Sequence, residues 1–170
     1  RMLSPSPQTF HPAATRRLQK KCRVVAATSR CMREALRQRA GVADERIVVI
    51  PPGIAASEDD VTPPLATQCV PVIAAAGALT PPEHHDLFLL AARNVLDAGR
   101  DARFLLGGDG PAEHRLRREA HRLNLDHHLT FVTDLLSYRP VIAAADLFVR
   151  PAVSGLCGYA PLDAMALGRP

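Results

Sequence analysis

The sequence predicts an α/β fold, a Rossmann-like parallel sheet with helices on both faces. Three observations predict it. Short strand candidates alternate with helical segments along most of the chain. The strands are near-continuously apolar, as strands covered on both faces are. Glycine loops follow two of them, at residues 107–110 and 155–158, on the edge where such sheets hold their ligands.

The elements follow in order. Residues 1–10 carry Pro5 and Pro7 and read as irregular, and residues 12–21 read as a basic helix. Residues 23–27, with Val24 and Val25, read as a strand. Ser29 then caps a helix through about Arg39, which Gly41 closes. Residues 47–50 form a second strand, ended by Pro51, Pro52 and Gly53. Residues 55–68 are polar with Pro63 and Pro64, and read as a linker. The pattern then becomes regular. Residues 70–76 are a strand, followed by a helix from about Glu83 to Ala98 and then Gly99. Residues 104–106 are a strand, followed by Gly107, Gly108, Asp109, Gly110 and Pro111. The next helix places Leu116, Ala120 and Leu123 on one face. Residues 129–132 are a strand, residues 141–145 a short helix, and residues 146–149 a further strand that Pro151 stops. A small-residue loop with Gly155 and Gly158 leads to an Ala/Leu/Met helix carrying Asp163. Gly168 closes that helix, and Pro170 cannot continue it. The organisation is thus residues 1–50 as the tail of one domain, 51–68 as linker, and 69–170 as a second domain.

Composition narrows the classes. A chain of 170 residues with 47% hydrophobic and 22% charged residues is globular. Aromatic content of 4% with no Trp argues against a base-stacking nucleic-acid binder. The net charge of +4 is unevenly placed, with nine Lys/Arg against the single acid Glu34 between Arg16 and Arg39. This segment reads as solvated helix faces or, more sharply, as a peripheral contact with a membrane or an acidic partner. Cys22, Cys31, Cys69 and Cys157 form no Cys-x-x-Cys pair, so neither zinc nor a disulfide framework is expected and a reducing cytoplasm is the default. No apolar run approaches the roughly 18 residues of a membrane span. The chain opens on Arg1 and stops just beyond a helix, as a piece of a longer protein would.

Candidate chemistry concentrates at the end of the chain. A strand feeding a glycine loop and a helix start makes an anion site, because unpaired N–H groups point outward there. Asp163 has two readings, a ribose ligand or an acid favoured by the helix dipole. The 107–110 loop reads as a tight turn or a phosphate cradle, and it lacks the third Gly of a dinucleotide fingerprint, having Glu113 instead. The pairs His84/His85 and His127/His128 lack metal-site spacing and read as solvated surface. Arg115, Arg117, Arg118 and Arg122 read as the wet face of a helix, and Cys157 has no evident base.

These residues resemble the family-4 glycosyltransferases of the GT-B fold, in which two Rossmann-like domains face each other across a cleft. Five landmarks carry the resemblance over about 145 residues. They are the strand and Ser at residues 24–29, the strand and Gly turn at 47–54, and the Gly108, Asp109, Gly110, Pro111 motif. Ala145 and Asp146 before Pro151 are the fourth, and Asp163 to Pro170 as a Glu-Ala-Met-Ala-x-Gly-x-Pro-like helix end the fifth. The resemblance makes the chain the end of the first domain plus most of the nucleotide-sugar domain. It implies a nucleoside-diphosphate sugar as co-substrate, an acceptor of unknown kind, retaining sugar transfer, and no cofactor, metal or nucleic acid.

It also implies a donor site at Gly77, Gly108, Gly110, Gly155, Gly158 and Asp163, to which the place of Arg150 at the carboxyl end of the fourth strand adds that residue, with no residue assigned a catalytic role. In the family an Arg and a Lys hold the donor diphosphate, and two glutamates touch the sugar and the ribose. Here Ala78 and Glu83 stand at the first two positions, Gly155 at the third, and Asp163 at the fourth, one methylene shorter. A cation beside a phosphate contributes on the order of 1–4 kcal/mol, and each ~1.4 kcal/mol is tenfold in affinity. Two readings therefore stand open. One is a transferase in which Arg150 substitutes for the lost cations. The other is a non-catalytic scaffold or regulatory module that keeps the fold.

Overall fold

A computed structural model describes residues 22–54, 70–152 and 158–170. The expectations for residues 1–10, 12–21 and 55–68, and for Gly155 and Cys157, lie outside the described residues. The chain divides into two compact units, one holding the described residues 22–53 and the other holding the rest.

The first unit is a strand–helix–strand crossover. Strand β1 (Val25–Ala27) pairs in parallel with β2 (Ile47–Val49), Val25 opposite Ile47. Helix α1 (Arg30–Ala40) connects them. The Ser29 hydroxyl accepts the Met32 N–H at 3.1 Å and caps its start. Gly41, at φ 63°, ends it in the left-handed conformation that an L side chain resists. Leu36 packs with Ala27, Val42 and Ile47 as a small core. The outer face is charged but paired, Arg33 with Asp44 at 2.5 Å and Arg37 with Glu34 at 2.6 Å.

The second unit holds a four-stranded sheet with neighbours in the order β5–β4–β3–β6, all parallel. Its strands are β3 (Val72–Ala76), β4 (Arg103–Gly107), β5 (Leu129–Val132) and β6 (Leu147–Phe148). Four helices alternate with them: α2 (His85–Asp97), α3 (Glu113–Arg122), α4 (Arg139–Ala143) and α5 (Tyr159–Ala166). Successive side chains of a strand point to opposite faces, so a doubly covered strand must be apolar throughout. In β4, Phe104 and Leu106 join Phe88, Leu89, Leu116 and Leu125 in one core. Leu105, between them, joins Val72, Ala74, Val141 and Ala145 in the other. Phe88 meets Phe104 edge to face at 6.0 Å.

Two helices start elsewhere than the sequence predicts. The helix expected from about Glu83 begins at His85, behind a single 3-10 turn over Pro81–Glu83. His84 sits at φ 52°, which breaks the continuity. The helix expected over 141–145 begins at Arg139, because Pro140 fits a first helical turn whose N–H groups have no acceptor in any case. Strand β6 is short but pinned. The Asp146 N–H donates to the Val72 carbonyl at 2.8 Å, and the Asp146 carboxylate accepts the Val72 N–H at 2.9 Å. Helix α5 closes through Gly168 at φ 65°, with Arg169 N–H to Ala164 O at 2.8 Å and Gly168 N–H to Met165 O at 3.1 Å.

Candidate functional site

Chain order and sheet order together locate the site. From β3 the chain steps to β4 and β5 on one side, and then returns to place β6 on the other side of β3. The connections leaving the carboxyl ends of β3 and β6 therefore diverge and leave a crevice, the position where open parallel sheets bind ligands. A cleft of about 460 Å³ lies there, lined among others by Gly77, Ala78, Glu83, Arg150, Gly158 and Asp163.

Each wall has a local cause. Gly77 follows β3 directly. The turn after it is braced from behind by the loop after β4, through Gly77 N–H to Gly107 O at 3.0 Å and Leu79 N–H to Asp109 O at 2.9 Å. This bracing explains the Gly-Asp-Gly-Pro motif. A Cβ on Gly108 would lie 1.9 Å from the Gly77 carbonyl oxygen, and one on Gly110 would lie 2.5 Å from that of Leu79. The Asp109 carboxylate accepts the Asp134 N–H at 3.0 Å, and Pro111 leads toward α3. Gly108 and Gly110 thus stand behind the Gly77 turn and are absent from the cleft lining.

The opposite wall is the run from β6 into α5. Gly158 caps α5 without a side-chain hydrogen bond, and the first N–H groups of that helix have no intrahelical acceptor. The Arg150 guanidinium lies against Gly158, its Cζ 3.6 Å from where a Cβ would stand. The same guanidinium reaches the Glu83 carboxylate at 3.1 and 3.3 Å. Asp163, in the second turn of α5, pairs with Arg139 at 3.1 Å. Two ion pairs therefore reach one cleft, one through Glu83 and Arg150 and the other through Asp163, and each has its acid and its base less than a quarter exposed.

Of the residues expected at a donor site, the structure brings together Gly77, Arg150, Gly158 and Asp163. Arg139 was not among them. It lies 24 residues from its partner, and nothing in the spacing marks it.

His85 corrects the reading of the histidine pairs as solvated surface. It is 2% exposed, the one buried polar or charged residue among the described residues. Its Nε2 lies 3.2 Å from the Ala78 carbonyl oxygen, and its Nδ1 is buried with no hydrogen-bond partner among the described residues. Burial lowers its pKa below the ordinary 6.5, partly offset by the bond to Ala78. A neutral ring with the proton on Nε2 donates to Ala78, whereas a second proton on Nδ1 would be buried without an acceptor. His128 is half-buried with its Nδ1 likewise unpartnered, whereas the arginine face of α3 is exposed as expected. Arg117 pairs there with Glu113 and lies 4.5 Å over the Phe131 ring. Among the described residues no group of three His, Cys, Asp or Glu is placed to hold a metal, and no helix is long and apolar enough to cross a membrane.

Comparison with known proteins bears on this geometry. The family model described as Glycosyl transferases group 1 matches residues 70–170, and that described as Glycosyltransferase Family 4 matches residues 3–58. A GDP-mannose-dependent alpha-(1-6)-phosphatidylinositol dimannoside mannosyltransferase of Mycobacterium tuberculosis is 34% identical over 94 residues, 55% of this chain and 24% of that protein. A GDP-mannose-dependent monoacylated alpha-(1-6)-phosphatidylinositol monomannoside mannosyltransferase of Corynebacterium glutamicum is 36% identical over 115 residues, 61% of this chain and 29% of that protein. The chain thus spans about a quarter of the length of the curated relatives it matches. Among solved structures, Anabaena HepE in complex with UDP and glucose superposes with a TM-score of 0.80 at 22% identity, over 97% of this chain and 49% of that one. A glycosyltransferase of Rickettsia africae superposes with a TM-score of 0.74 at 15% identity, over 98% of this chain and 48% of that one. At such identities the superpositions show the fold.

Proposed function

The chain belongs to the group 1 glycosyl transferases, and from that premise we propose that its second unit is the donor half of an enzyme transferring a sugar from a nucleoside-diphosphate sugar to an acceptor. One observation carries the reading. The cleft at the switch between β3 and β6 offers a diphosphate the start of α5 and the Arg150 guanidinium on the same wall. Helix N-terminal N–H groups and a guanidinium are both anion ligands, and together they stabilise the departing diphosphate of a retaining transfer. Asp163, held by Arg139, is the hydroxyl ligand for the donor's ribose. The nucleotide sugar is the co-substrate, and the reading assigns no metal or other cofactor.

GDP-mannose is the first donor to test, because the relatives above 30% identity are named for it. Those relatives are also named for phosphatidylinositol mannosides, which supports a lipid acceptor met at a membrane surface. The basic segment 16–39 is the proposed peripheral contact. Within it Arg33 and Arg37 are engaged by Asp44 and Glu34. Co-sedimentation of the intact protein with anionic but not zwitterionic vesicles is the expected outcome, and equal recovery with both would remove this part of the reading.

A second reading has its own observation. The lining cation Arg150 is matched by Glu83, and the lining acid Asp163 is matched by Arg139, which suits a protein that keeps the fold as a scaffold or regulatory module. Calorimetric titration of the intact protein with GDP, UDP, ADP and their sugars separates the two. Micromolar binding lost in Arg150→Ala supports the transferase. Binding no tighter than millimolar for every nucleotide sinks it and leaves the scaffold.

A further inference from the structure

The Glu83–Arg150 pair is poorly explained as a structural tie. Both side chains line the cleft, 67 residues apart in sequence, and both lie in connections outside the β-strands and α-helices. The placement of Arg150 is also electrostatically odd. Its guanidinium packs on Gly158, the first residue of the wall formed by α5, where the helix dipole is positive. Two positive features converge on one spot, and the Glu83 carboxylate lies against them, at 3.1 Å from the guanidinium. Glu83 can reach it because it ends the 3-10 turn Pro81–Glu83, ahead of the left-handed His84, rather than lying within α2. The carboxylate therefore stands where an anionic ligand of Arg150 would stand.

We infer that Glu83 is an internal competitor, a carboxylate that occupies the anion position of the cleft and must leave Arg150 before a diphosphate can bind. The inference rests on the donor-site reading above and names the residue that sets its affinity. Removing the negative charge releases Arg150 from Glu83, so that its guanidinium can turn to an incoming phosphate. Glu83 thus lowers the affinity of the cleft for anions.

The test uses inorganic pyrophosphate as probe, titrated calorimetrically into the intact protein and its Glu83→Gln variant, with Glu83→Ala as a second variant should the first fold poorly. Binding at least tenfold tighter in either variant, about 1.4 kcal/mol, is expected, and the gain should vanish when Arg150→Ala is added. Equal binding by the parent and both variants, or none by any of them, overturns the inference, as does a gain that survives Arg150→Ala. GDP and GDP-mannose are then titrated into the tightened variant. If pyrophosphate binding is gained and no nucleotide or nucleotide sugar binds, the competitor stands and the donor reading falls. If the parent already binds GDP-mannose at micromolar concentration and Glu83→Gln leaves this unchanged, the donor reading stands and the competitor falls.

Discussion

Two glycine positions in the second unit, Gly108 after β4 and Gly158 before α5, look alike in sequence and differ in what surrounds them. Gly108 sits at φ 145° with a neighbouring carbonyl oxygen 1.9 Å from any Cβ it might carry. Gly158 sits at φ −66°, and its nearest such neighbour is the Arg150 guanidinium at 3.6 Å, an ordinary contact. The first glycine is fixed by backbone crowding, and no other residue fits. The second borders open space, where the character of the site is set by the side chains that enter it. One loop is a matter of shape and the other of charge. This is why a chain can match a family along its fold while carrying Ala78 and Glu83 at positions that the resemblance gives to cations.

The largest expected effect tests the crowded side of this contrast. Gly108→Ala should destabilise the second unit by more than about 3 kcal/mol, or prevent folding, because the clash is with backbone and the φ is strained. Denaturant unfolding reads it, and a loss below 1 kcal/mol would show that the Gly77 turn yields. Next comes Arg150→Ala. A donor affinity at least tenfold weaker is expected, with a modest stability loss of about 1–2 kcal/mol from leaving Glu83 unpaired in a half-buried place. Unchanged binding would move the anion site elsewhere.

His85 gives an intermediate effect with a pH signature. Its folded pKa is lowered below the unfolded value of 6.5, so the folded state resists a proton that the unfolded state accepts. Its contribution is fully present above pH 6.5 and is lost as pH falls from there toward the folded pKa. His85→Gln should flatten this slope in unfolding experiments between pH 7 and 5, at a cost of about 1–2 kcal/mol at neutral pH. An unchanged slope would place the titration on another group. The smallest effect is Gly158→Ala, for which a change within about 0.5 kcal/mol in unfolding free energy is expected, since its φ suits any residue. A large loss would erase the contrast between the two glycines.

The same contrast separates what the sequence reveals from what it hides. Strands β3 to β6 are legible because burial on both faces demands apolar runs, and residues 129–132 match β5 end to end. Gly41 and Gly168 are legible as helix ends because a left-handed residue is chemically marked. The left-handed His84 carries no such mark, so the turn that aims Glu83 into the cleft is hidden. His85 is polar by type, and only the fold shows that it lies beneath the Gly77 turn. The pairs Glu83–Arg150 and Arg139–Asp163 are made by the return of the chain across the sheet, and no period of a helix or strand encodes a partner 67 or 24 residues away.

Strand β6 has a consequence of its own. It is two residues long and holds to β3 through Asp146 and Val149, the latter donating to the Ala74 carbonyl at 2.7 Å. Five-residue β4, between two partners, is fastened at every register position. The amides around Arg150 therefore exchange with solvent through smaller local openings than those of β4, which wait on unfolding of the whole unit. The wall that carries the cleft's charge is thus a more readily parted seam than β4, and a bound ligand bridging β3 and β6 would register as slowed exchange at Asp146 and Val149, whose N–H groups donate to β3.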